Sequence, residues 1–303
     1  MDYKKIIRSR NLRLRILKAL TWIPDSIMLR IQYYLKFGFF PDFKNPQRFT
    51  EKMQIYKMKY RNPILAQCVD KYEVRKYVED KGLDEHLVDL YGIYNKVEDI
   101  VFDDLPEKFV LKNTTGGGGR SVIIVTDKTK CHWEEICHEV NSWRIHHPGK
   151  KNSGREWAYV NMPKTRYLVE QLLETSEEKG LVDYKFFCFN GRAEYLYVMS
   201  DRVLGRDASL AIYDRDFNKT DIYEKGERRA TYTLPKPKNY ERMLQIADKL
   251  SEDFPQVRVD LYNVNGLIYF GELTFYDESG YVRFEPDSFD YELGKLFKID
   301  SFA

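Results

Sequence analysis

Val257-Arg258-Val259-Asp260-Leu261-Tyr262, a turn over Asn263 to Gly266, and Leu267-Ile268-Tyr269-Phe270-Gly271-Glu272-Leu273-Thr274 are the stretch from which the fold is read. Two apolar runs flank an Asn/Gly-rich connection, which predicts a β-hairpin. In antiparallel strands Asp260 and Glu272 can sit side by side at one end, with Thr274 one same-face step beyond Glu272. Neighbouring carboxylates repel unless a positive charge lies between them. Mg²⁺ carrying nucleotide phosphates meets that need, since it takes one or two carboxylates and completes its shell with phosphate and water. A hairpin whose acids simply face solvent satisfies the same sequence.

Upstream, Phe109-Val110-Leu111-Lys112 reads as a strand ending in a lysine. It runs into Asn113-Thr114-Thr115-Gly116-Gly117-Gly118-Gly119-Arg120-Ser121 and then a second strand, Val122 to Val125. Four glycines give a loop whose backbone amides can approach a polyphosphate closely. A Walker loop or dinucleotide fingerprint needs a helix after its glycines, and neither pattern is present. Strand–glycine loop–strand instead describes a flap over phosphates with Lys112 beneath it; a plain turn is the simpler alternative. Between flap and hairpin, Tyr167-Leu168-Val169-Glu170-Gln171-Leu172-Leu173-Glu174 is a strand feeding an acidic and apolar connection. Such a segment can offer backbone groups to a purine edge and a carboxylate to a ribose hydroxyl, or be an ordinary strand and loop.

In this order the three segments resemble the ATP-grasp superfamily, and within it the TupA-like (teichuronopeptide-biosynthesis-like) proteins of bacterial polysaccharide clusters. The closer resemblance rests on Asn45 to Lys52, Asp70 to Arg75, Leu105 to Lys112, Asp183-Tyr184-Lys185-Phe186-Phe187-Cys188-Phe189-Asn190-Gly191 and the hairpin. It runs from about Asn45 to Leu296. The resemblance implies an α+β protein of the ATP-grasp fold, two lobes clamping ATP, with a helical N-terminal extension. Residues 1–62 would be a basic helical extension, 63–165 the N-terminal lobe with its flap, and 166–303 the C-terminal lobe with the metal hairpin. Lys71 and Lys112 would bind phosphates beneath the flap of Gly116, Gly117, Gly118 and Gly119. Glu170, Gln171, Leu172 and Leu173 would form the adenine hinge, with Asp183 on the ribose hydroxyls. Asp260 and Glu272 would hold Mg²⁺, and Arg258 would steady the negative charge of an intermediate. Thr274 stands where many ligases of the superfamily carry Asn, and can offer one oxygen to the metal.

The implied chemistry is ATP-dependent carboxylate–amine ligation through an acyl phosphate. The family context points to a uronic-acid carboxylate of a cell-surface glycan, or its nucleotide- or lipid-linked precursor, as acceptor and an amino acid or other amine as donor. A kinase acting on a sugar or small molecule, and a non-catalytic glycan-binding protein on the same fold, are the alternatives.

Composition bounds these readings. At 303 residues, 43% of them hydrophobic, the chain supports one large or two closely joined domains. A net charge of +2 argues against a dedicated nucleic-acid protein. Cys68, Cys131, Cys137 and Cys188 follow no secretory signal and read as free thiols in a reducing cytoplasm. Cys131 and Cys137 lack zinc-site spacing, and Trp133 and Ile136 between them read as the apolar stripe of a helix over Trp133 to Trp143. No Ser or Cys nucleophile carries a triad signature.

From Lys4 to Leu20 basic residues alternate with apolar ones, and Trp22 follows. No apolar run there is long enough to span a bilayer, and the mixing of charge and apolar residues is unlike a signal peptide. The segment suits a peripheral contact with the inner face of a membrane through residues 1–22, or a helix packed on the body. Helical spacing is expected at Gln47 to Lys59, Pro63 to Lys81, Tyr240 to Asp253 and Tyr291 to Phe297. A loop is expected over Gly149 to Pro163, and irregular chain over Arg202 to Leu234 with a short strand at Ala211 to Tyr213.

Overall fold

The computed structural model describes residues 9–117, 119, 121–175, 180–203 and 207–302. Lys4, Lys5 and Arg8 of the basic stretch, and Gly118 and Arg120 of the glycine loop, lie outside the described residues.

Two helices come first, α1 (Arg10–Ala19) and α2 (Asp25–Phe37). Gly38 ends α2 in the left-handed region, φ 88°, where its N–H donates to the Tyr34 carbonyl at 2.8 Å. Helix α3 (Phe49–Lys59) begins where the Glu51 carboxylate accepts the backbone N–H groups of Asp42, Gln47 and Arg48 at 2.9, 3.0 and 3.1 Å. From Phe49 to Lys57 every residue but Lys52 is buried. A helix covered on all sides belongs to a core rather than to an appendage. The expected extension over 1–62 is therefore helical, but its third helix sits inside the main body. The helix expected over Pro63 to Lys81 is two short ones, α4 (Ile64–Cys68) and α5 (Val74–Asp80). Between them Asp70 Oδ1 accepts the N–H groups of Tyr72 and Glu73 at 2.9 and 3.0 Å and turns the chain.

A four-stranded antiparallel sheet follows, made of β1 (Leu90–Tyr94), β2 (Phe109–Asn113), β3 (Val122–Val125) and β4 (Tyr167–Glu170) in the order β1-β4-β2-β3. Its own small core gathers Phe109, Leu111, Val125 and Val169 under α6 (Trp133–Ser142) through Val140. Helix α7 (Trp157–Asn161) occupies part of the stretch expected as a loop. At five residues it is too short to declare itself by periodicity. Because β4 pairs with β1 and β2, the chain crosses to the second sheet between Glu170 and Asp183, later than the expected division at 165/166.

The second sheet has six strands in the order β11-β10-β5-β6-β7-β9. They are β5 (Asp183–Phe189), β6 (Arg192–Val203), β7 (Asp207–Asp214), β9 (Arg228–Arg229), β10 (Gln256–Val264) and β11 (Leu267–Thr274). Strand β8 (Tyr223–Glu224) pairs separately with β12 (Phe284–Glu285). The stretch expected to be irregular thus carries the full strand β7. Leu210 to Tyr213 are buried on both faces, so no alternation marked it. Helix α8 (Tyr240–Ser251) lays Met243, Leu244, Ile246, Ala247 and Leu250 on this sheet, the face its spacing predicts. Helix α9 (Ser288–Leu296) packs against α3: Lys52 Nζ donates to the Gly294 and Phe297 carbonyls at 2.7 and 3.0 Å, and Thr50 bonds Asp290.

Candidate active site

The β10–β11 register places Asp260 opposite Glu272 and Arg258 opposite Thr274, as the hairpin reading requires. Gly271 is the extra residue of a bulge beside Asp260. A Cβ at Gly271 would come within 3.0 Å of the Asp260 carbonyl, so the bulge needs glycine for space.

The two acids face different surroundings. Asp260 is 1% exposed and faces two cations. Arg258 donates to it through Nε at 2.7 Å and Nη2 at 2.8 Å, and Lys185 Nζ makes a third, short contact. Burial raises the Asp260 carboxyl against the pull of Arg258 and Lys185. The Glu272 side chain is 45% exposed. What burial it has opposes its charge, but Lys185, Lys71 and Arg258 outweigh that and hold its carboxyl down at about 2. Thr274 Oγ1 donates to Glu272 at 3.1 Å. Glu272 is thus the ionised carboxylate at the surface, and Asp260 is its buried neighbour.

Arg258 is itself enclosed. Its Nη1 pairs with Asp277, and its Nη2 reaches Thr274 Oγ1 at 3.2 Å and Glu272 at 3.4 Å. Asp277 is held in place by an unusual turn. Glu278, Ser279 and Gly280 follow one another in the left-handed region, at φ 45°, 59° and 74°. Two non-glycine residues there cost on the order of 1 kcal/mol each or more. Two fully buried side chains of α3 secure the turn: Gln54 Nε2 donates to Gly280 O at 2.8 Å, and Lys57 Nζ to Ser279 O at 2.9 Å. Burial pushes the Lys57 ammonium down to about 8. Behind Asp277, burial and then the charges of Asp277 and Glu278 push the Glu224 carboxyl up to about 8.

Lys185 lies opposite Asp260 on β5 and bonds Asp183 Oδ2 at 2.8 Å. Burial disfavours its charge, yet Asp183 and Asp260 hold it above its ordinary value. Asp183, expected at a ribose, is 1% exposed and engaged by this lysine.

The four-stranded sheet supplies the other wall. Lys71, between α4 and α5, donates its backbone N–H to Thr114 O at 2.9 Å and its ammonium to Gly116 O, fixing it beneath the glycine loop. Burial lowers its proton affinity; Glu272 from the other sheet is the largest opposing charge. Lys112, on β2, ion-pairs with Glu170 at the end of β4. A Cβ at Gly116 would lie 2.9 Å from Ser121 Cβ, and Gly119 has φ 67°, so both need glycine; Gly117 meets nothing within 4 Å. Gln171 N–H donates to Asp89 O at 2.9 Å, and Leu172 and Leu173 are half-buried beside it.

Lys71, Lys112, Glu170, Arg258, Asp260, Glu272 and Thr274 therefore converge between the two sheets, with Asp183 joined through Lys185. Sequence reasoning missed Lys185, Asp277 and Tyr159. Lys185 carried a signal, since it shares a strand face with Asp183. Asp277 carried none, because its place depends on a turn. Tyr159 lies on α7 with its ring 5.8 Å from Tyr276, and burial pushes its hydroxyl well up.

The donor set suits Mg²⁺ delivered with phosphates. Among the described residues no three His, Cys, Asp or Glu side chains form a metal cage. An ion that needs one or two carboxylates and takes phosphate oxygens for the rest fits Glu272 with Asp260 behind it.

A protein-family model described as TupA-like ATPgrasp matches residues 51–298. No curated protein matches the chain. Among solved structures, the D-alanine–D-alanine ligase of Bacillus anthracis is similar at 18% identity and a TM-score of 0.44, over 70% of this chain and 59% of that one. The L-amino acid ligase of Bacillus licheniformis is similar at 14% identity and a TM-score of 0.46, over 86% of this chain and 57% of that one. The biotin carboxylase of Campylobacter jejuni is similar at 14% identity and a TM-score of 0.41, over 78% and 48%. The chain thus spans less than two thirds of the length of each.

Proposed function

The chain belongs to the TupA-like ATP-grasp family, and on that premise we propose that it is an ATP-dependent carboxylate–amine ligase. Its acceptor is a uronic-acid carboxylate of a cell-surface polysaccharide or of a nucleotide- or lipid-linked precursor, and its donor an amino acid or other amine. The observation that carries this reading is the meeting of Lys71, fixed under the glycine loop, with Glu272 across the cleft. Phosphate-binding cations on one wall thereby face an ionised carboxylate on the other.

ATP is consumed as a substrate. Its purine lies along Glu170 to Leu173 and its phosphates under Gly116 to Gly119 against Lys71 and Lys112, while Asp183, buried against Lys185, acts on the site through that lysine. Glu272, Asp260 and Thr274 would hold Mg²⁺, which supplies neutralisation of phosphate charge when bound. The acceptor carboxylate attacks the γ-phosphorus, the bond to the bridging oxygen breaks, and ADP leaves. The amine then attacks the acyl carbon, phosphate leaves, and the surplus proton passes to solvent. Arg258 faces the developing oxyanion, and Asp277 with Asp260 fixes its guanidinium in advance. The reaction is mainly positioning and charge neutralisation, and needs no side-chain nucleophile. Residues 1–22 make the peripheral contact with the inner face of the membrane.

The test is mass spectrometry of products after incubation with Mg-ATP, an amino-acid mixture and a uronic-acid glycan. An amide product with stoichiometric ADP and phosphate is expected. A stable phosphorylated product formed without amine would replace the ligase with a kinase, and failure to bind Mg-ATP would leave a glycan-binding protein.

A further inference from the structure

Helix α2 has two apolar faces. Met28, Leu29 and Tyr33 are buried. Ile27, Ile31, Tyr34 and Leu35 are 51, 42, 43 and 37% exposed. At about 100° per residue these four share a separate arc of roughly a quarter turn. The strip continues beyond the helix, where Phe40, 62% exposed, stacks on Tyr34 with ring centroids 4.7 Å apart. Trp22, 77% exposed, stands just before the helix, and Leu12 and Ile16 of α1 repeat the pattern at one-turn spacing. Contiguous exposed apolar surface of this kind marks a contact site rather than ordinary solvent-facing surface.

Charge identifies the partner. Ten basic and three acidic residues precede Asn45, in a chain whose total is only +2. Arg15, Arg30 and Lys44 are exposed, while Asp25 is already paired with Arg155 at 2.7 Å. The matching surface is apolar within and anionic at its rim. No described helix is long and apolar enough to cross a membrane, so the contact lies along the surface.

The two helices are anchored. Arg155, 5% exposed, donates to the Leu20, Ile23 and Thr21 carbonyls at 2.7, 2.9 and 3.3 Å. Gln32, away from the exposed strip, donates to Ser153 O at 3.0 Å and accepts from Tyr281 Oη at 2.9 Å. Tyr281 directly follows the left-handed turn after Asp277, and Ser153 precedes the helix carrying Tyr159. The helix with the apolar strip is thus pinned to segments that line the catalytic cleft.

We propose that the exposed face of α2, with Trp22 and Phe40, docks on an anionic bilayer and holds the cleft beside an acceptor carried on a lipid. The docking rests on the peripheral membrane contact proposed for residues 1–22 and extends it to α2, and the lipid-borne acceptor rests on the ligase reading. The test is co-sedimentation with vesicles of phosphatidylcholine alone and of phosphatidylcholine mixed with phosphatidylglycerol, without nucleotide. The intact chain should partition at least about tenfold more strongly onto the anionic vesicles, and lose that binding at high salt. Ile31→Gln with Leu35→Gln, both at exposed positions, should lower partitioning about tenfold while ADP release in solution and thermal unfolding stay unchanged. Equal binding by variant and parent overturns the proposal, as does equal binding to both vesicle types. A parent that is dimeric by sedimentation velocity, with a monomeric variant, assigns the face to a second copy and also overturns it. Vesicle binding without amide formation would overturn the ligase reading alone.

Discussion

Arg258 joins Asp260, Glu272, Thr274 and Asp277, and these contacts set how a substitution should be read. Removing it strips a counter-ion from Asp260 and Asp277 together. An uncompensated buried charge costs about 3–5 kcal/mol. Arg258→Met should therefore lose turnover and also lower the melting temperature; calorimetry beside an ADP-release assay separates the two. Glu272→Gln is the cleaner probe of metal binding, because that side chain is half exposed and a Gln oxygen can keep its contacts with the Thr274 hydroxyl at 3.1 Å and Arg258 at 3.4 Å. Its turnover should fall at least about a thousandfold while its melting temperature falls less than that of Arg258→Met, and near-normal turnover would remove Glu272 from the site. Glu224 gives a pH signature. Its folded carboxyl sits at about 8, above the ordinary value, so the stability it contributes is complete below about pH 4 and drains away as pH rises to 8. Against Glu224→Gln, the parent should lose on the order of 3 kcal/mol across that window. Denaturation at pH 5 and pH 8 reads it, and a constant gap would mean the carboxyl is not shifted. A hairpin carrying Asp260 and Glu272 on adjacent strands was readable from residue types, although their pairing also needs the Gly271 bulge, because unbroken register from Val264 opposite Leu267 would set Asp260 against Gly271. That Asp260 would be gripped by two cations was not, since Lys185 reaches it from a third strand.

Among elements, the contact of α3 with α9 is the most exacting. A Cβ on Gly294 would sit 2.0 Å from Gln47 O and 2.9 Å from Phe49 N. Alanine normally gains up to about 1 kcal/mol over glycine inside a helix. Here backbone meets backbone and cannot yield, so Gly294→Ala should destabilise by about 2–4 kcal/mol despite its better propensity. Chemical denaturation decides the sign, and a stabilised variant would show that the helices can part cheaply. Long periodic elements such as α8, and the strand–loop–strand flap, were recoverable from pattern. Helix α7 and strand β7 were not, one being too short for a period and the other buried on both faces. The turn at Glu278 to Gly280 lay beyond sequence reading as well, since its left-handed conformation is imposed by Gln54 and Lys57 of a distant helix.

At the scale of the whole molecule, one sheet supplies Lys112 and Glu170, the other Lys185, Asp260 and Glu272, and Lys71 lies where they meet. The two-walled plan followed from the order of the segments. The point of crossing did not, because β4 joins the first sheet through pairings that no local pattern announces. Mg-ATP held between Lys71 on one wall and Glu272 on the other should draw the two walls together. If so, small-angle scattering with and without Mg-ATP should show contraction on binding, whereas identical profiles would describe a rigid cleft.

Thr50 and Asp290, which bond each other in the interior, are 240 positions apart. Translation runs from the amino end at about 5–20 residues per second, so α3 waits tens of seconds before its partner leaves the ribosome. Throughout that interval a helix built to be covered on every side, with Thr50, Gln54 and Lys57 lacking their bonds to Asp290, Gly280 and Ser279, is open to solvent. The nascent chain should accordingly engage holding chaperones late into synthesis. Ribosome-bound chains stalled before α9 emerges should be cut by protease within α3, and chains released past Phe297 should resist it.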